Sequence, residues 1–157
     1  ALKLKLCEAT QLHFPAVGKL FVIRTDASGV AVAGALSQRR DGQTELKEIG
    51  TGEVPIAFWS QKLTDTQRNW STIEREAYAV IAALQKWHSI VFGAPVIVYS
   101  DHNPLTYIAQ NATSSAKLTR WALALQEYNI TFRYAKACHN VVADGLSRPV
   151  NISGDKP

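Results

Sequence analysis

The chain has 157 residues, 46% of them hydrophobic, and a formal net charge of +4. That is enough for one domain with a buried core, while no stretch approaches the roughly 18 apolar residues of a membrane-spanning helix. Two cysteines, Cys7 and Cys138, exclude a disulfide-built scaffold and point to a reducing compartment, and the mild positive charge permits an anionic partner without requiring one.

Residues 1–17 hold a short alternating segment and then Pro15, and they read as a lead-in from an upstream region. The chain starts at Ala1 and contains no methionine, so it is expected to be a piece of a longer polypeptide. Four consecutive apolar residues, Leu20 to Ile23, begin a strand buried on both faces that runs out at Asp26. Taken alone, Asp26 and Gly29 would be ordinary turn residues. Val30 to Gln38 is a second strand of small residues, close enough to the first to form a hairpin with it. Residues 39–42 (RRDG) start a polar loop. Val54 to Ser60 is a third strand, and Pro55 favours an edge or a strand start.

The clearest helix follows. Ser71-x-x-Glu74 reads as a capping box, and Ile73, Ala77, Val80, Ile81, Leu84, Trp87 and His88 recur at helical spacing. Val96 to Ser100 is a short buried strand that ends, like the first, in an aspartate, Asp101. Pro104 marks a helix start, and Leu118, Trp121, Ala122 and Leu125 form one face of a second amphipathic helix. A fifth strand, Asn129 to Tyr134, leads to a closing helical stretch, Asn140 to Ser147, and residues 149–157 read as a tail or linker. A hairpin-rich start followed by alternating helices and strands predicts an α/β domain with a mixed sheet.

Four acids stand out in this arrangement. Asp26 and Asp101 each close a buried strand, and if those strands are parallel neighbours both carboxylates leave the sheet at one edge. Glu76 falls at the border of the helix's apolar stripe, near enough to lean over the strand ends. Glu74 is better explained as the capping partner of Ser71. Asp144 lies in the closing helix and alone would be a surface acid. Carboxylates converging on one point repel each other unless divalent metal is bound. An oxygen-only cluster suits Mg²⁺ or Mn²⁺, and two such ions can hold a phosphate, activate water and stabilise the leaving oxygen.

Four motifs then carry a resemblance: Thr25-Asp-Ala-Ser28, Ser71-Thr-Ile-Glu-Arg-Glu-Ala77, Ser100-Asp-His-Asn-Pro-Leu105 and Asn140-Val-Val-Ala-Asp-Gly-Leu-Ser-Arg148. In this order they resemble the RNase H domain of gypsy-type LTR-retrotransposon and retroviral reverse transcriptases, over residues 18–148. The resemblance implies the RNase H-like fold, a five-stranded mixed sheet flanked by helices with its first three strands antiparallel. It implies hydrolysis of the RNA strand of RNA–DNA hybrids, leaving a 3′-hydroxyl and a 5′-phosphate. Asp26, Glu76, Asp101 and Asp144 would be catalytic ligands of two Mg²⁺ ions, with Mn²⁺ able to substitute. The implied partners are the hybrid and an upstream reverse-transcriptase domain of the same polyprotein, with no membrane. The implied setting is intracellular, the cytoplasm and virus-like particles.

The pattern departs at one place. Cellular members carry a loop histidine ten residues before the last aspartate, where this chain has Tyr134; His139 stands nearer Asp144. Both are auxiliary candidates, whereas Cys138 and His139 lack a second pair to complete a metal site. Asn69, Trp70 and Ser71 lie where similar domains approach the DNA strand, although Trp70 serves equally well as a hydrophobic staple. Arg39 and Arg40 are candidate phosphate contacts, with a solvated face as the default reading. Two competing readings are a catalytically inactive connector or nucleic-acid-binding module, and a transposase or integrase on the same fold. The acid order Asp, Glu, Asp, Asp disfavours the last.

Overall fold

The computed structural model describes residues 12–39 and 52–134. Five strands form one sheet: β1 (Phe21–Ala27), β2 (Ala31–Arg39), β3 (Glu53–Lys62), β4 (Pro95–Ser100) and β5 (Asn129–Tyr134), in the order β3-β2-β1-β4-β5. β1, β2 and β3 are antiparallel neighbours, while β4 and β5 run parallel to β1. The sheet is therefore mixed, with the antiparallel start that the family resemblance implies.

The first hairpin turns at Ser28, not at Asp26. The Ser28 hydroxyl accepts from the Val30 and Ala31 N–H groups, and its own N–H donates to the Ala31 carbonyl at 2.8 Å. Asp26 thus stays within β1, paired with Ala33. Pro55 does sit on an edge strand. The register slips beside it, from Leu36 opposite Ala57 to Ser37 opposite Pro55, leaving Ile56 as the extra residue of a bulge. A residue without an N–H is tolerated at such a break in the ladder. The segment before β1 is tied to this edge, since the His13 N–H donates to the Pro55 carbonyl at 2.9 Å. Gln38 clasps it further along, accepting from the Ala16 N–H and donating to the Ala16 carbonyl, both at 2.8 Å.

Two single-turn helices escaped the sequence reading. In α1 (Asp65–Arg68), Thr64 and Gln67 form a complete capping box. The long helix α2 (Thr72–Lys86) begins at Ser71, whose hydroxyl accepts from the Glu74 N–H. The expected reciprocal half of that box is replaced: the Glu74 carboxylate accepts from Lys117 Nζ at 2.7 Å and from the Tyr107 hydroxyl at 3.2 Å. An ion pair outweighs a neutral cap for that carboxylate. α2 also stops short of His88. Trp87 leaves helical geometry (φ −105°, ψ 20°), and the chain restarts as α3 (His88–Val91) with His88 exposed.

α2 lies across one sheet face. Val80, Ala83, Leu84 and Trp87 pack on Phe21, Ile23, Leu36, Ile56, Val96 and Val98 from four strands. The Trp87 ring rests on Gly34 so closely that a Cβ there would lie 3.2 Å from it. Behind α2, α4 (Pro104–Asn111) and α5 (Ala116–Gln126) bury Ile108, Leu118 and Trp121 against Ala77 and Ile81. On the opposite sheet face Val22, Ile97 and Tyr99 form a smaller core. Arg24 and Glu53 make a near-buried two-pronged ion pair there, at 2.6 and 3.1 Å. No helix among the described residues is long and apolar enough to cross a membrane.

Candidate active site

The parallel pairing of β1 with β4 sets the site. Phe21 pairs with Val96 and Arg24 with Tyr99, so two residues further on Asp26 comes level with Asp101. Both acids therefore leave the sheet at one edge, Asp26 buried within β1 and Asp101 half-buried in the turn after β4. α2 brings the third. Glu76 is only 2% exposed, and it accepts a hydrogen bond from the Ala27 N–H at the end of β1. Its Oε2 has no hydrogen-bond partner among the described residues.

The electrostatics follow from that placement. Burial, then the charges of Asp101 and Asp26, push the Glu76 carboxyl up from 4.5 to about 9. The Ala27 N–H and Arg75 oppose the shift without cancelling it. In the absence of cation this carboxyl is protonated at neutral pH.

A residue that the sequence reading passed over joins them. His102 Nδ1 lies 2.9 Å from Asp101 Oδ1. Ligand atoms of Glu76, Asp101 and His102 all lie within 4.8 Å of one another. Its only signal in the sequence is its place inside the Ser100–Leu105 motif, directly after an acid. Carboxylate oxygens from three elements at one edge suit a hard divalent cation.

The other candidates are spread around this centre. Asn69 is the exposed C-cap of α1 and Ser71 the N-cap of α2. Trp70 stands edge-on to Tyr78 and Trp121, with ring centroids 5.6 Å away in each case, and Lys117 Nζ sits 4.0 Å from its ring centre. It packs with these rings beside Ala77, Ile81 and Leu118 in the core behind α2. Tyr134 ends β5 opposite Ser100, one residue before Asp101, and is exposed. Arg39 ends β2 beside the start of β1, at the far end of the sheet from Asp26. Arg40, Cys138, His139, Asp144 and the closing helix lie outside the described residues.

Over residues 16–128 the chain matches the family described as the RNase H-like domain found in reverse transcriptase. It is 40% identical over 148 residues to the retrovirus-related Pol polyprotein from transposon opus of Drosophila melanogaster, a match covering 94% of this chain and 14% of that protein. The corresponding polyprotein from transposon 412 of the same fly is 38% identical over 147 residues, covering 94% and 11%. The chain thus spans a seventh or less of the length of these relatives. Among solved structures, the foamy viral protease-reverse transcriptase in complex with RNA/DNA hybrid aligns with a TM-score of 0.65 at 23% identity, over 94% of this chain and 19% of that one. LC11-RNase H1, isolated from compost, aligns with a TM-score of 0.54 at 16% identity, over 82% and 92%. These two likenesses carry the fold.

Proposed function

This chain belongs to the family of RNase H-like domains found in reverse transcriptase, and on that premise we propose that it hydrolyses the RNA strand of RNA–DNA hybrids as part of a longer polyprotein. In this reading Asp26, Glu76, Asp101 and Asp144 hold two divalent ions, Mg²⁺ with Mn²⁺ as substitute. The observation that carries it is Glu76. A carboxylate 2% exposed, with one oxygen unpartnered among the described residues and two more acids facing it, is costly as a charged group until a cation meets it.

When bound, such ions activate a water and stabilise charge on the leaving oxygen. The chain's own part is placement. β1 and β4 hold Asp26 and Asp101 level through their parallel register. α2, hydrogen-bonded through Glu76 to the end of β1, fixes the third carboxylate over them. Asn69, Trp70 and Ser71 would meet the DNA strand, and Arg39 and Arg40 phosphates further along. The Tyr134 hydroxyl is suited to donating a hydrogen bond to a phosphate oxygen, with His139 as a second auxiliary group. We take residues 18–148 as the domain, 1–17 as the lead-in from the upstream reverse-transcriptase region and 149–157 as a tail. The Pol polyprotein relatives and the hybrid-bound reverse transcriptase neighbour support that partnership; the setting we propose for it is the cytoplasm, in virus-like particles.

The test is cleavage by the purified chain of a labelled RNA–DNA hybrid and of duplex DNA of the same sequence. With Mg²⁺ we expect cuts in the RNA strand alone, with 3′-hydroxyl and 5′-phosphate ends, and poor support by Ca²⁺, whose looser coordination aligns an in-line attack badly. Binding without cleavage under any divalent ion would make the domain an inactive connector. Full activity in excess chelator would end the metal reading.

A further inference from the structure

The Asp101–His102 contact is explained on its face as a surface hydrogen bond, but its geometry fits a second use. In an octahedral site with bonds of about 2.1 Å, adjacent ligand atoms are about 3.0 Å apart and opposite ones about 4.2 Å. His102 Nδ1 and Asp101 Oδ1 are 2.9 Å apart. Ligand atoms of these two residues and of Glu76 lie within 4.8 Å of each other, so modest side-chain movement brings all three onto one ion. The cluster also holds a buried group short of partners: Glu76 is 2% exposed, and its Oε2 has no hydrogen-bond partner among the described residues.

We propose that His102 supplies an imidazole nitrogen to the ion held by Asp101 and Glu76, tilting this position toward Mn²⁺ relative to Mg²⁺. The inference rests on the metal-site reading above and adds one ligand to it. Mg²⁺ favours oxygen donors and near-ideal geometry, whereas divalent transition metals gain from imidazole. Ligation through Nδ1 places the ring proton on Nε2. With the His102 side chain 44% exposed, water can accept from that N–H.

The 157-residue chain loaded with Mn²⁺ is examined by pulsed electron paramagnetic resonance, which reads ¹⁴N nuclei bonded to the ion. Wild type should show imidazole nitrogen coupling, and His102→Ala and His102→Asn should each lose it. The chain has four histidines, so the variants assign the signal. His102→Asn can still hydrogen-bond Asp101, which separates ligation from positioning. Calorimetric titrations should show Mn²⁺ affinity falling about tenfold in both variants, with Mg²⁺ affinity falling less. Mn²⁺ binding in wild type without ¹⁴N coupling overturns the proposal and leaves the carboxylate site standing. Coupling that survives His102→Ala overturns it too, as do equal losses for the two metals, which would mean that His102 only orients Asp101. No saturable Mn²⁺ binding, or binding unaffected by Glu76→Gln, removes the metal-site reading itself.

Discussion

At Glu76 burial sets the stability of the fold against ionisation of a carboxyl. Its carboxyl titrates near 9 in the folded chain against 4.5 as a free side chain, first because it is buried and then because Asp101 and Asp26 face it. Below pH 4.5 it is neutral in both folded and unfolded chains, and nothing is lost. As pH rises toward 9 the unfolded chain ionises while the folded chain stays protonated, so stability falls, by roughly 3 kcal/mol at pH 7. Glu76→Gln removes that loss. Urea unfolding in chelator at pH 5 and pH 8 should show wild type losing stability more steeply than the variant, with the variant the more stable at pH 8. Equal changes in the two would contradict the burial argument. The sequence placed Glu76 at the edge of an apolar stripe, but not its full burial, because that depends on how α2 seats against the end of β1. His102 carries little signal in the sequence because a histidine beside an aspartate is common, and only the turn after β4 brings its ring nitrogen back to Asp101.

At the scale of elements, the strands and the long helix were legible because their apolar periodicities differ, two against 3.6. The short helices α1 and α3 were not, since a single turn offers no periodicity to read. The half-used box at Ser71 has a different cause: Lys117 and Tyr107 come from distant helices, and a local motif cannot anticipate them. The packing of α2 on the sheet makes a sharp prediction at Gly34. A Cβ there would stand 3.2 and 3.3 Å from Trp87 ring atoms and 3.5 Å from the Ala83 Cβ, whereas one at Gly29 would meet nothing within 4 Å. Gly34→Ala should therefore cost about 1 kcal/mol or more. Gly29→Ala should be neutral or gain about 0.5 kcal/mol by restricting the unfolded chain. Thermal melts of both in chelator would decide it; a Gly34→Ala protein as stable as Gly29→Ala would show that Trp87 is not seated as described.

At the scale of the whole molecule, the candidate site depends on one topological fact: the chain leaves its antiparallel hairpins after β3, crosses by α2 and returns as β4 parallel to β1. Parallel neighbours release their C-terminal ends at the same edge, which is how acids 75 positions apart in the chain come level. The order of strands and helices was readable from the sequence together with the four motifs. The register that aligns Asp26 with Asp101 was not, because it is set by Phe21, Ile23, Val96 and Val98 sharing one core under α2. In the proposed function this alignment makes a centre for cleaving hybrids, and substitution of Asp26 strikes at its middle. The single-turnover rate of RNA cleavage in a hybrid, at saturating Mg²⁺, should fall at least about a hundredfold in Asp26→Asn, with circular dichroism and metal-free melting showing an intact fold. A well-folded Asp26→Asn protein that cleaves within about tenfold of the wild-type rate would mean that Asp26 is no ligand of the reacting centre.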